Sequence, residues 1–132
     1  MRLLELLEHI KGTFESLPTV NSAYVANPDI WNDKQVRYIS VCVDIQSTNM
    51  MENTMERTIS IWIANRHKNQ ESAALIWQEC EEAWLSAYEK LATELVFVTP
   101  VQISYFEQDF NDQLAGVEVN LTIETEIEPL CI

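Results

Sequence analysis

The spacing of apolar residues predicts a helix at two places in the chain. Over residues 2–16, apolar side chains recur every three or four positions, as on one buried helix face. This stripe consists of Leu3, Leu7, Ile10 and Phe14, and Leu4 widens it. Pro18 ends the segment because its ring disfavours a helical residue before it. A second, longer helix is predicted over residues 71–95. Its main stripe is formed by Trp77, Glu81, Trp84, Tyr88, Leu91 and Leu95, with Ala74 and Cys80 flanking it.

Alternation of apolar and polar residues predicts strands elsewhere. Residues 36–46 and 54–64 alternate throughout, and the polar turn at 49–53 between them favours a hairpin. Shorter strands are expected at 20–26 and 101–105. The last strand alternates most regularly, since Val117, Val119, Leu121, Ile123 and Ile127 interleave with Glu118, Asn120, Thr122, Glu124, Glu126 and Glu128.

Three polar segments, 27–34, 65–70 and 106–116, are predicted to be loops. The element order is then helix, three strands, helix, two strands. This order predicts one α+β domain over residues 1–132. In it, a mainly antiparallel sheet of four to five strands carries two helices on one face.

Charge narrows the function classes. The chain carries 21 acidic and 8 basic residues, a net charge of −13. Direct binding to DNA or to an anionic membrane is not expected, because phosphate contacts require basic residues. The amino-terminal apolar stretch contains Glu5 and Glu8, unlike a signal peptide, and no apolar run approaches the ~20 residues of a membrane span. A cytoplasmic origin is therefore expected.

Few residues suggest catalysis. His67 lies in a predicted polar loop and is expected to be solvated, and no nucleophile–histidine–acid set is recognisable. The three cysteines are widely spaced, which suggests neither a disulfide framework nor a zinc site. Glu107, Asp109 and Asp112 lack the fixed order of a calcium loop. The expectation is a protein that is not an enzyme and has no cofactor or metal; a small ligand-binding domain with an apolar pocket is a weaker alternative.

Two tryptophans are candidates for an interface. Trp77 and Trp84 lie on a helix stripe and are expected in the core, whereas Trp31 falls in a predicted loop and Trp62 on a polar strand face. Exposed tryptophan is enriched at interfaces. Glu124, Glu126 and Glu128 repeat on one strand face, which indicates either a solubilising surface or one that must not adhere to a polyanion.

The segment DQLAGVEVNLTIE at 112–124 is a polar stretch leading through a glycine into an alternating strand. It resembles the closing segment of the tail terminator and tail-completion (neck) proteins of long-tailed bacteriophages. The opening helix, followed by Leu17, Pro18 and a short strand, and the element order of nearly the whole chain are also similar to that family.

The resemblance implies a structural virion protein. A homo-oligomeric ring, expected to be a hexamer, would terminate the tail tube and bind the tail tube protein and the head-connector proteins. It would be assembled in the host cytoplasm, and DNA would pass its acidic lumen without specific binding. Loops at 27–34, 48–53 and 106–115 would contact neighbours. The interface or lumen candidates are Trp31, Asp33, Trp62, Asp109, Asp112, Glu118, Glu124, Glu126 and Glu128.

An alternative function follows from the charge alone. An acidic protein can mimic DNA and inhibit a nuclease or a DNA-binding protein, and the acidic strand face supports this hypothesis. Competition with DNA for a nuclease would distinguish the two.

Overall fold

Six strands form one mixed sheet in the computed structural model, which describes residues 1–33, 35–68, 72–98, 100–110 and 112–127. The elements are α1 (Leu3–Glu15), β1 (Ser22–Val25), α2 (Ile30–Asp33), β2 (Ser40–Met50), β3 (Thr54–Arg66), α3 (Ala74–Leu91), β4 (Val96–Phe97), β5 (Gln102–Asp109) and β6 (Gln113–Glu126). The strand order is β1-β2-β3-β6, and β4 and β5 both pair with the remaining side of β6. Only β1 and β2 are parallel among these pairs. The protein is thus an α+β protein with a mainly antiparallel sheet, as predicted, although the described part has six strands rather than four to five and three helices rather than two.

The long strands β2, β3 and β6 form because their apolar residues alternate. Their register places Ile61 opposite both Val43 and Val119, so the β-branched side chains form continuous rows on one face. A β-bulge between Ile45 and Ser47 interrupts the β2–β3 register. The hairpin turn is limited to residues 51–53, shorter than the predicted turn.

The main core lies between this apolar face and the helices α1 and α3. Leu6, Ile10 and Phe14 of α1 are fully buried there, and the Phe14 ring stacks on Trp84 of α3 with 6.4 Å between centroids. Each fully buried side chain of this size stabilises the fold by about 1.5–3 kcal/mol. Both predicted helices are confirmed and pack on one face of the sheet, although α3, at Ala74–Leu91, is shorter than the predicted 71–95.

The helix faces differ in part from the predicted stripes. In α1, Leu6 is buried, whereas Leu4 is 63% exposed. In α3, three of the buried side chains against the sheet are small, namely Cys80, Ala83 and Ala87. The other two are Trp84 and Leu91. Small residues let a helix backbone approach a sheet closely, so the larger aromatic side chains lie at its flanks. Trp77 is half-buried against Tyr105, and Tyr88 is exposed beside Phe97.

A second apolar cluster covers one end of the opposite face. It centres on Trp31 of α2, which is fully buried and packs with Val36, Cys42, Ala64 and Leu114. The Trp31 Nε1–H donates to Ser40 Oγ at 3.0 Å. The prediction of a loop at 27–34 is therefore wrong for residues 30–33. The prediction that both helices share one face holds for α1 and α3, while the short α2 lies on the other.

Two further loop predictions are wrong in part. The segment 106–116 contains the end of β5 and the start of β6, which pair as a hairpin. Polar residues fit there because β5 is an edge strand with one side open to solvent. The segment 65–70 is strand through Arg66, while residues 69 and 70 lie outside the described part.

Candidate functional site: the open face of the sheet

Among the described helices, α2 lies on the sheet face opposite α1 and α3 and covers one end of it. The rest of this face runs from Trp62 and Glu118 to Glu56 and Glu124 near the hairpin turn, as the strand register shows. We call this part the open face, and it consists of Asp44, Glu56, Thr58, Ser60, Trp62, Glu118, Asn120, Thr122, Glu124 and Glu126. Its side chains are polar apart from Trp62, because alternation sends the apolar residues of the same strands to the main core.

A hydrogen-bonded chain of side chains fixes one carboxylate on the open face. Trp62 Nε1–H donates to Glu118 Oε1 at 2.7 Å, and Asn120 Nδ2 donates to Glu118 Oε2 at 3.0 Å. Ser60 Oγ in turn donates to Asn120 Oδ1 at 2.6 Å. Trp62 and Glu118 are direct cross-strand partners, as are Ser60 and Asn120. The Glu118 carboxylate is therefore held in one orientation.

An aromatic cavity of about 270 Å³ lies beside Glu118. Phe106 of β5 lies opposite Gly116 of β6, and Phe110 packs edge-to-face on Trp31 with 5.4 Å between ring centroids. The cavity is lined by Pro28, Trp62, Ser104, Tyr105, Phe106, Gln108, Phe110 and Glu118. The burial of Trp31 thus positions a wall of a cavity that contains Trp62.

Carboxylates concentrate at the hairpin end of the open face. Glu56 and Glu124 are direct cross-strand partners, and Glu126 lies opposite Thr54. Side chains directly opposite each other have Cβ atoms about 4.5–5.5 Å apart, so two negative charges there repel. The ion pairs found among the described residues do not involve these three acids. This end of the face is consequently negative.

The other predicted site residues lie apart from the open face. Asp112, in the β5–β6 turn, is 3.7 Å from Arg66 Nε, and the Arg66 guanidinium lies 5.5 Å from the centroid of the Tyr38 ring. Burial, and secondarily Asp112, raises the pKa of Tyr38 to about 12. Asp33 ends α2 and Asp109 ends β5, both exposed, and Glu128 lies outside the described residues.

The structure therefore brings together Trp62 with Glu118, and Glu124 with Glu126, but does not unite the nine candidates. Sequence reasoning missed Ser60, Asn120, Glu56, Phe106 and Phe110. A signal existed for Asn120 and Ser60, which alternate on the same strand faces as Glu118 and Trp62. Only the strand register shows that they touch.

Catalytic and metal chemistry has little support in the described part of the chain. His67 is buried rather than solvated as predicted, because β3 carries it against β6, where its backbone N–H donates to the Gln113 carbonyl at 3.0 Å. Burial raises the pKa values of the Cys42 and Cys80 thiols to about 12, which leaves both protonated and weakly nucleophilic. Among residues whose placement is described, no group of three or more His, Cys, Asp or Glu side chains could hold a metal ion.

Comparison with known proteins gives no relative. No model of a known protein family matches the chain, and no curated protein is similar to it in sequence. None of the helices described is both long and apolar enough to cross a membrane.

Proposed function

We propose that this protein is a structural subunit of a bacteriophage tail or neck, which forms a homo-oligomeric ring that terminates the tail tube and joins it to the head connector. The observation that carries the proposal is the open face, whose carboxylates Glu56, Glu124 and Glu126 lie near one another and take no part in the ion pairs found among the described residues. A negative wall lowers the adhesion of DNA, because phosphates are repelled and no counterion is released. Such a wall suits a channel through which DNA passes unbound.

Both edges of the sheet support ring assembly. β1 pairs with β2 only along residues 40–43, so the outer side of residues 44–50 has no strand partner in the described structure. At the opposite edge, β4 and β5 each pair with β6 alone among the described strands. Two different free edges allow a heterologous contact, in which each subunit adds its sheet to that of the next. Contacts of this kind form a ring when the rotation between neighbouring subunits closes, as the proposal requires.

The tip of the β2–β3 hairpin adds an apolar contact to this arrangement. Met50 and Met51 are 71% and 51% exposed, at the end of the free edge of β2. Methionine adapts its shape to a partner surface and is enriched at interfaces. We therefore assign the tip to the contact between subunits or with the tail tube.

Assembly is tested by light scattering and negative-stain imaging of the purified protein, alone and with purified tail tubes. We expect rings of about six subunits, in solution or on tube ends, as the resemblance implies. The double substitution Met50→Glu, Met51→Glu should abolish them, whereas Leu4→Glu, also at an exposed apolar residue but on α1, should not. A monomer that neither forms rings nor binds tubes would contradict the proposal.

The role of the open face is tested by its charge. Replacing Glu56, Glu124 and Glu126 with Lys should create binding of duplex DNA that weakens steeply with salt. A control with the same net charge replaces Glu5, Glu82 and Glu89, which lie on the helices. Stronger retention of DNA by the first variant supports a DNA-facing surface, and equal retention by both would refute it.

The same carboxylates favour the second candidate, a DNA-mimic inhibitor. In that case the protein would stay monomeric and would compete with DNA for a nuclease or a DNA-binding protein. Neutralising Glu56, Glu124 and Glu126 to Gln would then abolish inhibition. A ring that does not inhibit any member of a nuclease panel would exclude this alternative.

A further inference from the structure

The aromatic cavity at the covered end of the open face has the composition of a cation-binding site. Its walls include the rings of Trp62, Phe106 and Phe110, and Glu118 supplies a carboxylate. Aromatic rings attract cations through their negative faces, and a carboxylate adds a full charge. The combination of three aromatic rings with one oriented carboxylate favours a cation that is partly apolar.

The hydrogen bonds to Glu118 leave room for a second set. An ionised carboxylate has about four acceptor positions, two on each oxygen. Trp62 occupies one on Oε1 and Asn120 one on Oε2, at 2.7 and 3.0 Å. Among the described residues, each oxygen therefore has one donor, and its remaining acceptor capacity would allow the two oxygens to accept two parallel N–H bonds. A guanidinium group donates in this way.

The cavity lies near the lower size limit for drug-sized molecules, and a single side chain suits it. Sites for drug-sized molecules usually measure about 300–1,000 Å³, and this one measures about 270 Å³. A planar guanidinium stacks on aromatic faces while it pairs with a carboxylate, which an ammonium group cannot do as well. The protein's charge of −13 would also attract a basic partner at long range.

We propose that this cavity binds an arginine side chain presented by a partner protein, with Glu118 pairing the guanidinium and Trp62, Phe106 and Phe110 enclosing it. Two of this chain's own arginines have intramolecular partners, Arg66 with Asp112 and Arg57 with Thr48. The site does not depend on the ring proposed above, because every group that forms it belongs to one subunit.

The test uses the four tryptophan indole N–H signals in NMR spectra of ¹⁵N-labelled protein, with Trp62→Phe assigning the signal of Trp62. Acetyl-arginine methylamide is titrated in, with the lysine and citrulline equivalents as probes of charge and shape. We expect a saturable shift of the Trp62 signal with arginine, several-fold weaker binding of lysine, and no saturation with neutral citrulline. Equal shifts with citrulline would overturn the proposal.

Two substitutions separate the cavity from the general charge of the face. Glu118→Gln should weaken arginine binding by about tenfold or more, because hydrogen bonds to charged groups are the stronger ones. Glu124→Gln removes the same charge elsewhere on the open face and should change affinity by less than about twofold, since exposed charges are screened. Equal losses in both variants, or full affinity in Glu118→Gln, would refute the assignment.

A third variant covers the case in which Glu118→Gln fails to fold. Ser104 lines the cavity opposite Glu118 on the edge strand β5. Ser104→Phe fills the space while it leaves the carboxylate in place, and it should abolish the saturable shift. Retained binding in a folded Ser104→Phe protein would show that arginine binds elsewhere, and it would overturn the proposal.

Discussion

The two glycines of the chain should respond to alanine substitution with opposite signs. A Cβ added to Gly116 in β6 would collide with the carbonyl oxygen of Ile63 and would lie 2.9 Å from both Ala64 Cα and Phe106 Cζ. A Cβ added to Gly12 in α1 would meet nothing within 4 Å. One position is closed by its neighbours and the other is open to solvent.

The expected magnitudes follow from these contacts. Overpacking a well-packed site costs about 1–3 kcal/mol, and Gly116→Ala should lie toward the upper end because the nearest atoms belong to the backbone of β3. That strand is held by pairing on both sides and cannot shift locally. Gly12→Ala should stabilise the protein by about 0.5–1 kcal/mol, because alanine costs less conformational entropy than glycine in a helix.

Urea unfolding at one fixed protein concentration measures both variants by linear extrapolation. A shifted midpoint with an unchanged m-value would show that the free energy of unfolding itself has changed. A neutral Gly116→Ala would refute the reasoning. So would full restoration of stability by adding Phe106→Leu, because that change removes only the ring atom and leaves the backbone contacts of Ile63 and Ala64 in place.

Three further outcomes concern buried groups. Trp31→Ala should cost about 3–5 kcal/mol through loss of packing, and Trp31→Phe about 1–2 kcal/mol, partly through the lost bond to Ser40; equal urea midpoints for wild type and Trp31→Ala would contradict its role as an anchor. In a Cys131→Ser variant, Cys42 and Cys80 should react with a thiol reagent at pH 8 only after urea is added; rapid reaction of the folded protein would contradict their burial. Because their pKa values rise from 9.0 to about 12 on folding, their stabilising contribution is complete below pH 9 and is lost between pH 9 and 12. The urea midpoint should therefore fall more between pH 7 and pH 10.5 in wild type than in a folded Cys42→Ala variant. An equal fall in both proteins would show that the Cys42 thiol is not a source of the pH dependence.

Strict alternation made the central strands predictable. In β6, Val117 to Ile123 face the core at every second position, and one buried face leaves no other register for the strand. The hairpin of β2 and β3 was readable for the same reason. Edge strands carry a weaker signal, because solvent accepts polar residues on them. Glu107, Gln108 and Asp109 have the composition of a loop, yet they pair with β6.

The face of α3 was misassigned because large side chains dominate a hydrophobic stripe. Cys80, Ala83 and Ala87 contribute little apolar area each, although close approach to the sheet requires them. Tyr88 counts as an apolar residue in a hydrophobic stripe, but its side chain also carries a polar hydroxyl. It is 38% exposed at the flank of the helix. A stripe drawn through the largest side chains is therefore displaced by about one residue around the helix from the face that is buried.

The candidate site could be predicted only in pieces, because it depends on pairing between distant strands. Trp62 and Glu118 were each recognised on a polar strand face, but 56 residues separate them in sequence and no local pattern brings them together. Trp31 was assigned to a surface loop because a helix of four residues is too short to show a periodic pattern in the sequence. Its burial brings Phe110 against the sheet, and Phe110 then forms a wall of the cavity that contains Trp62. The two tryptophans thus have complementary roles: one is buried to shape the covered end of the face, and the other remains half-exposed beside a carboxylate. A cation site at that end and a bare carboxylate surface at the other require the same feature, a polar sheet face that the described part of the chain covers at one end, where α2 and the residues packed on it lie.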